Sequence, residues 1–166
     1  MSSPSVDDPF RQAPALPVPP GFRRLRAFCA YATANGPLYG RIEADGGFTM
    51  GCRLTPDHDN LAGMVHGGWL MSLADMAIGF ACSTASAENR SKFLPTISLQ
   101  AEFLAPGRAG QWAEARATVL QSGRRIAFAE CLVACDGEPV LRASGTFKVP
   151  SAADAPFAID ELLLPA

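Results

Sequence analysis

The chain has few charges, two histidines and no basic stripe, and each shortage removes a class of function. Charged residues make up 18% of 166, the net charge is -2, and the 14 Lys and Arg stand singly apart from Arg23-Arg24 with Arg26, and Arg124-Arg125. Such scatter does not form the continuous positive face that tracks a phosphate backbone, so no nucleic-acid partner is expected. His58 and His66, with Asp57 and Asp59 nearby, lack the tight i, i+4 or C-x-x-C type spacing of a metal site, so none is expected. A G-x-S-x-G elbow, a Rossmann fingerprint and a P-loop are also missing. The N-terminus carries Asp7 and Asp8 and has no basic-then-apolar layout, which argues against a secretory signal. The five cysteines are odd in number, and Cys131 and Cys135 on one strand would stand roughly 13 Å apart, too far to bridge. Reduced thiols and a cytoplasmic setting follow as expectations.

A hydrophobic content of 48% over this length suffices for one domain with a single core. Residues 1–20 hold six of the 14 prolines and read as an extended, flexible arm. The folded unit is expected over 21–149, with 150–166 as a C-terminal tail. Within it, 21–36 has apolar residues at helical intervals around Leu25, Phe28 and Tyr31, closed by Asn35-Gly36-Pro37, and predicts a short helix. Residues 37–44 and 48–54 read as strands joined by the turn Asp45-Gly46-Gly47, and 55–60 as loop.

Residues 66–84 are nearly all apolar or small, with Asp75 their sole formal charge. An Asp at the centre of a spanning helix costs ~2.5 to 3.5 kcal/mol, and Gly67, Gly68, Ser72 and Gly79 add little apolar area in return, so the segment reads as a core helix and no membrane association is expected. Four runs of period two follow, at 93–104, 111–120, 125–135 and 140–149, and links as short as theirs predict antiparallel neighbours. One face of the last three runs is small: Ala113, Ala115, Ala117 and Val119, then Ala127, Ala129, Cys131 and Val133, then Leu141, Ala143, Gly145 and Phe147. The 66–84 helix is the one long apolar element able to approach it. The expected class is α+β, a curled antiparallel sheet of about five or six strands around one central helix.

The chemistry concentrates at Asn60, His66-Gly67-Gly68 and Asp75. An ionised carboxylate in apolar surroundings must pair, shift its pKa or sit at a polar cleft, and two of these outcomes make it useful as a base or nucleophile. An Asn six residues before His-Gly-Gly and an Asp eight after the first Gly form a pattern that resembles the hotdog-fold acyl-CoA thioesterases, in particular their phenylacetate-degradation-type branch. Thr96, early in the next strand, matches the Ser or Thr of that branch. Phe103-Leu-Ala-Pro106 and Ser122-Gly-Arg-Arg-Ile are also similar, and the match covers roughly residues 20–149.

The resemblance implies hydrolysis of an acyl-CoA or aryl-CoA thioester to free acid and coenzyme A, with no cofactor beyond the coenzyme A of the substrate. Asp75 would attack the carbonyl or deprotonate the attacking water. Gly67, at the helix start, would offer its N–H to the oxyanion. His66 would orient the thioester or its water, Asn60 would hold the water or the carboxylate, and Thr96 completes the set. The alternatives are that Asp59 or Asn60 merely makes an Asx-turn, and that Gly67-Gly68 is a tight turn letting the helix enter a narrow sheet. Gly68 and Trp69 are candidates for lining the substrate pocket, and the turn Ser122, Gly123, Arg124, Arg125 for the phosphates of coenzyme A. The competing functions are a non-catalytic acyl-CoA sensor and a hotdog enoyl-CoA hydratase. The resemblance further implies a homodimer, or a dimer of dimers forming a homotetramer, with the Asn and His-Gly of one subunit facing the Asp and Thr of the other.

Overall fold

The computed structural model describes residues 17–90, 92–151 and 161–164. In chain order its elements are β1 (Arg23–Arg24), α1 (Ala30–Ala34), β2 (Leu38–Ile42), β3 (Phe48–Arg53), a 3-10 turn (Pro56–His58), α2 (Gly67–Thr84), a second 3-10 turn (Ala87–Asn89), β4 (Thr96–Phe103), β5 (Trp112–Ser122), β6 (Ile126–Cys135) and β7 (Glu138–Lys148). They form one antiparallel sheet of seven strands in the order β1-β2-β3-β5-β6-β7-β4, curled around α2.

Helix α2 buries Leu70, Leu73, Ala74, Ala77, Ile78 and Ala81, spaced three and four apart, so a wide apolar stripe faces the sheet. The strands answer with the small face expected: Ala113, Ala115, Ala117, Ala127, Ala129, Cys131 and Ala143 are all 2% exposed or less. Small side chains on the sheet let the helix backbone sink towards it, and bulk returns at the margins as Phe48, Met50, Leu141 and Phe147. Burying each of these larger side chains contributes about 1.5 to 3 kcal/mol. Ala115→Leu would force extra methylenes into this contact and cost about 1 to 3 kcal/mol.

Three differences from the sequence reading have local causes. The helix expected over 21–36 forms only at Ala30–Ala34. Ahead of it, Arg23 and Arg24 pair with Gly40 and Tyr39, the N–H of Leu25 bonds Leu38 O and that of Arg26 bonds Leu162 O, so sheet partners take the groups a helix would need. This short edge strand makes the sheet seven-stranded rather than five or six.

Strand β4, expected beside β5, lies outside β7 instead. The link after β4 crosses the end of the sheet. Leu104 N–H bonds Val140 O, Gly107 O accepts from Val65, and Gly110 N–H bonds Leu54 O, each at 2.9 Å. Backbone bonds to three separate segments let β5 start beside β3.

Finally, the described part of the segment after 150 returns to the core. Leu162 and Leu163 are buried, Leu163 bridges Leu25, and the Arg23 guanidinium donates to Leu163 O and Leu164 O. Of the proline-rich arm, residues 1–16 lie outside the described residues. Within the part described, Pro17 O accepts from Arg53 Nη2 at 2.9 Å.

Candidate active site

A cleft of about 740 Å³ runs along the face of α2 that turns away from the sheet. Its lining repeats at helical intervals, Gly68, Ser72, Asp75, Gly79 and Ser83, which spans ~22 Å at 1.5 Å per residue. The segment before β2 supplies Phe28, Cys29 and Tyr31; β4 and its approach supply Arg90, Lys92, Phe93, Leu94, Thr96 and Leu99. The walls are mostly apolar. Asp75 stands midway along them, half-buried, and accepts a hydrogen bond at 2.8 Å from Thr96 Oγ1. A carboxylate in an apolar cleft, with one oxygen held by a hydroxyl, can take a proton from water or attack an electrophile.

His66 caps α2. Its Nδ1 accepts from Gly68 N–H at 2.9 Å, which leaves Nε2 as the N–H of the neutral ring, an exposed donor at the helix start. Gly67 follows as the first helical residue, beneath the Phe103 ring, to which an added Cβ would come within 2.8 Å. Asn60 Oδ1 accepts from Ala62 N–H at 2.8 Å and from Met64 N–H at 3.4 Å, an Asx-turn that shapes the loop entering α2.

Within the chain the candidate set is therefore divided. Asp75 and Thr96 meet, and His66, Gly67 and Gly68 meet, but Gly67 and Asp75 are separated by eight residues of helix, about 12 Å. A single carbonyl cannot touch both.

A second cavity of about 400 Å³, lined by Asn35, Asp57, His58, Asp59, His66, Gly68 and Trp69 among others, opens beside the helix start. Trp69 belongs to this cavity and not to the larger cleft. It is buried, with its ring 4.4 Å from that of His58. Burial pushes the His58 imidazolium pKa down, against weaker upward pulls from its bond to Asn35 O and from Asp57 and Asp59. Among the described residues no cluster of three or more His, Cys, Asp or Glu could hold a metal ion.

The remaining candidates sit elsewhere. Ser122, Gly123, Arg124 and Arg125 form the exposed turn between β5 and β6, outside the cleft lining but beside the C-terminal end of α2. Ser122 Oγ accepts from Asn89 Nδ2 at 3.4 Å, and Gly123 N–H closes the turn on Ile126 O at 2.9 Å. Glu88, bonded to Lys92 and close to Arg124, has its carboxyl pKa lowered by both. No buried thiol competes as a nucleophile, since burial raises Cys52, Cys82 and Cys131 to about 12 and Cys135 to about 11. The sequence reading missed Gly79, Met76, Phe80, Arg90 and Lys92 as cleft residues. Gly79 lies four residues after Asp75 on the same helical face, and stepping one turn from it would have found it; Met76 and Phe80, one turn apart from each other, flank that face.

Residues 62–141 match the family model of the thioesterase superfamily, a span holding His66, Gly67, Asp75 and Thr96. A Pseudomonas aeruginosa protein provisionally named an esterase is 32% identical over 133 residues, 80% of this chain and 98% of its own length. This chain belongs to the thioesterase superfamily.

Its sheet curled around one long helix is the hotdog fold. A variant of the phenylacetic acid degradation protein PaaI from Thermus thermophilus superimposes with a TM-score of 0.64 at 29% identity, over 74% of this chain and 100% of the other. The Escherichia coli PaaI protein gives the same TM-score over 74% and 86%, at an identity of 24% that speaks for the fold alone. As a thioesterase-superfamily member the chain is a hydrolase of thioester type, and among the described residues no helix is long and apolar enough to cross a membrane.

Proposed function

We propose that the protein hydrolyses an acyl-CoA or aryl-CoA thioester to a free acid and coenzyme A. The observation that carries this is the Asp75–Thr96 pair, 2.8 Å apart, set in the wall of an apolar cleft large enough for an acyl group. Thr96 fixes one carboxylate oxygen and aims the other. Asp75 takes a proton from a water as its oxygen adds to the thioester carbonyl, or adds directly and is released by water afterwards. The carbonyl oxygen becomes an oxyanion, the C–S bond breaks, and the departing thiolate takes up a proton. This chemistry uses no metal and no redox cofactor. The Thermus relative is named for phenylacetic acid degradation, which supports including aryl-CoA among the substrates.

The oxyanion needs a donor, and the N–H groups at the start of α2 suit it, but those of the same chain are about 12 Å from Asp75. A second copy removes the difficulty. Strand β4 runs from Thr96, which touches Asp75, to Phe103, which lies over Gly67, and β4 is a long edge strand with Ile97 and Phe103 exposed and Leu104 exposed just after it. Pairing β4 antiparallel with its own copy about a two-fold axis sets the Thr96 end of one subunit against the Phe103 end of the other. Each site then combines Asp75 and Thr96 of one chain with Asn60, His66 and Gly67 of its partner. Arg124 and Arg125, exposed in the turn between β5 and β6, are the candidates for meeting coenzyme A phosphates.

The test is release of free thiol from a panel of acyl-CoAs running from acetyl to hexadecanoyl, with phenylacetyl-CoA included. Turnover of at least one member is expected. Binding of these compounds without release of thiol would make the protein a sensor.

A further inference from the structure

Gly79 has no conformational or packing reason to be glycine. It lies inside α2, where glycine is the poorest helix former after proline. Every other glycine of the chain either has a positive φ or would set an added Cβ within 3.4 Å of a neighbour, whereas at Gly79 φ is ordinary and an added Cβ would meet only Phe147 Cε1, at 3.6 Å. Its carbonyl accepts from Ser83 Oγ at 3.0 Å, a bond that any residue there could receive. What the missing side chain leaves is room in the cleft.

That room has a chemical character. Gly79 is one helical turn beyond Asp75, about 6 Å along the axis, and shares the cleft wall with Met76, Phe80, Leu99, Phe147 and Leu162. Of the polar lining at this end of the cleft, Ser83 Oγ is bonded to Gly79 O and Lys92 O, and Lys92 Nζ to Glu88 and Asn89. The two amides of the pantetheine arm find no partner on the apolar side chains around Gly79, while a hydrocarbon chain or ring gains by them. Met76 adds a side chain that adapts its shape to what lies on it.

We propose that Gly79 is the specificity-determining residue for the acyl group: the part of the substrate beyond the scissile carbonyl passes over Gly79 into the apolar recess. The enzyme then favours acyl groups long or bulky enough to reach that turn, such as octanoyl or phenylacetyl, over acetyl. This assignment rests on the thioesterase reading above.

The experiment compares wild type with Gly79→Ala and Gly79→Val on acetyl-, octanoyl- and phenylacetyl-CoA, following kcat and KM and the melting temperature. Wild type is expected to prefer the two larger substrates. Filling the recess should lower their kcat/KM relative to acetyl-CoA, by about 10- to 200-fold for a group of methylene size, and more for Val than for Ala. Gly79→Ala should melt at the wild-type temperature or about 2 to 4 °C higher, because alanine is the better helix former. A parallel change for all three substrates would assign Gly79 to the coenzyme A arm, and a wild type that prefers acetyl-CoA would leave the recess without a role; either overturns the proposal. A marked fall in melting temperature for Gly79→Ala would overturn it too, by making the glycine a packing requirement. A wild type that cleaves none of these three while cleaving another member of the wider acyl-CoA panel overturns this assignment alone; one that cleaves no member of that panel removes the acyl-CoA reading, and this assignment with it.

Discussion

Asp75 is separable from the fold because it packs on nothing that an amide would disturb. Asp75→Asn keeps the side-chain volume and can still accept from Thr96 Oγ1, so only the ability to take a proton or attack is lost. We expect kcat to fall at least ~10²-fold with the melting temperature within about 2 °C of wild type. A variant that retains wild-type turnover would remove Asp75 from the chemistry. His58 is the opposite case, a titratable group whose role lies in stability. Burial depresses its pKa below the ordinary value near 6.5, so below that pH the unfolded chain binds a proton that the folded chain resists. Stability is therefore full above pH ~6.5 and declines as pH falls through that value towards the folded pKa. In thermal melts between pH 8 and 5, wild type should lose stability more steeply below pH ~6.5 than His58→Gln, whose amide can neither charge nor repay the loss. Equal slopes would show that other groups set the acid limb.

At the scale of the element, α2 and its cap hold the site, and Gly67 tests whether the helix start acts on substrate or merely packs. A Cβ at Gly67 would lie 2.8 Å from the Phe103 ring, so Gly67→Ala should lower both melting temperature and turnover. The double change Gly67→Ala with Phe103→Leu makes room and should restore the melting temperature. Turnover that stays at least ~10-fold low in the double variant assigns the helix start to the oxyanion; full recovery would reduce Gly67 to a packing position.

This element was legible in the sequence because one lone carboxylate in a long apolar run, with His-Gly-Gly before it, has few structural solutions. The small-residue faces of β5, β6 and β7 were legible for the same reason, since a period of two is written into them. The place of β4 was not. Its neighbours are decided by backbone bonds from the crossing link to Val140, Val65 and Leu54, and backbone groups carry no side-chain signature. Nor was the fate of residues 23–26, whose helical spacing is overridden by partners 13 to 141 residues away along the chain. The cleft itself fell between the two cases, because its wall on α2 follows from periodicity, while Phe28 and Leu162 arrive through long-range packing.

At the scale of the whole molecule, the division of the candidate set is the main constraint on how the protein works. Asp75 with Thr96 and His66 with Gly67 lie at opposite ends of β4, so one chain does not bring the two pairs together. Strand β4 is an edge strand that exposes Ile97 and Phe103, the kind of edge that invites pairing with another strand. If two copies pair there, two variants that are inactive for different reasons should rescue one another. Asp75→Asn retains a good helix start, and Asn60→Ala with His66→Ala retains a good carboxylate. Co-refolded at equal concentration, about half of the dimers should be mixed, and one of the two sites in each mixed dimer should be wild type, so roughly a quarter of wild-type turnover should return. Each variant refolded alone supplies the baseline. Mass spectrometry of the intact dimers measures the mixed fraction independently of activity, which separates failed exchange from failed rescue. Mixed dimers at the expected level with no recovered turnover would place the whole reaction within one chain, and the oxyanion would then need a donor other than the start of α2.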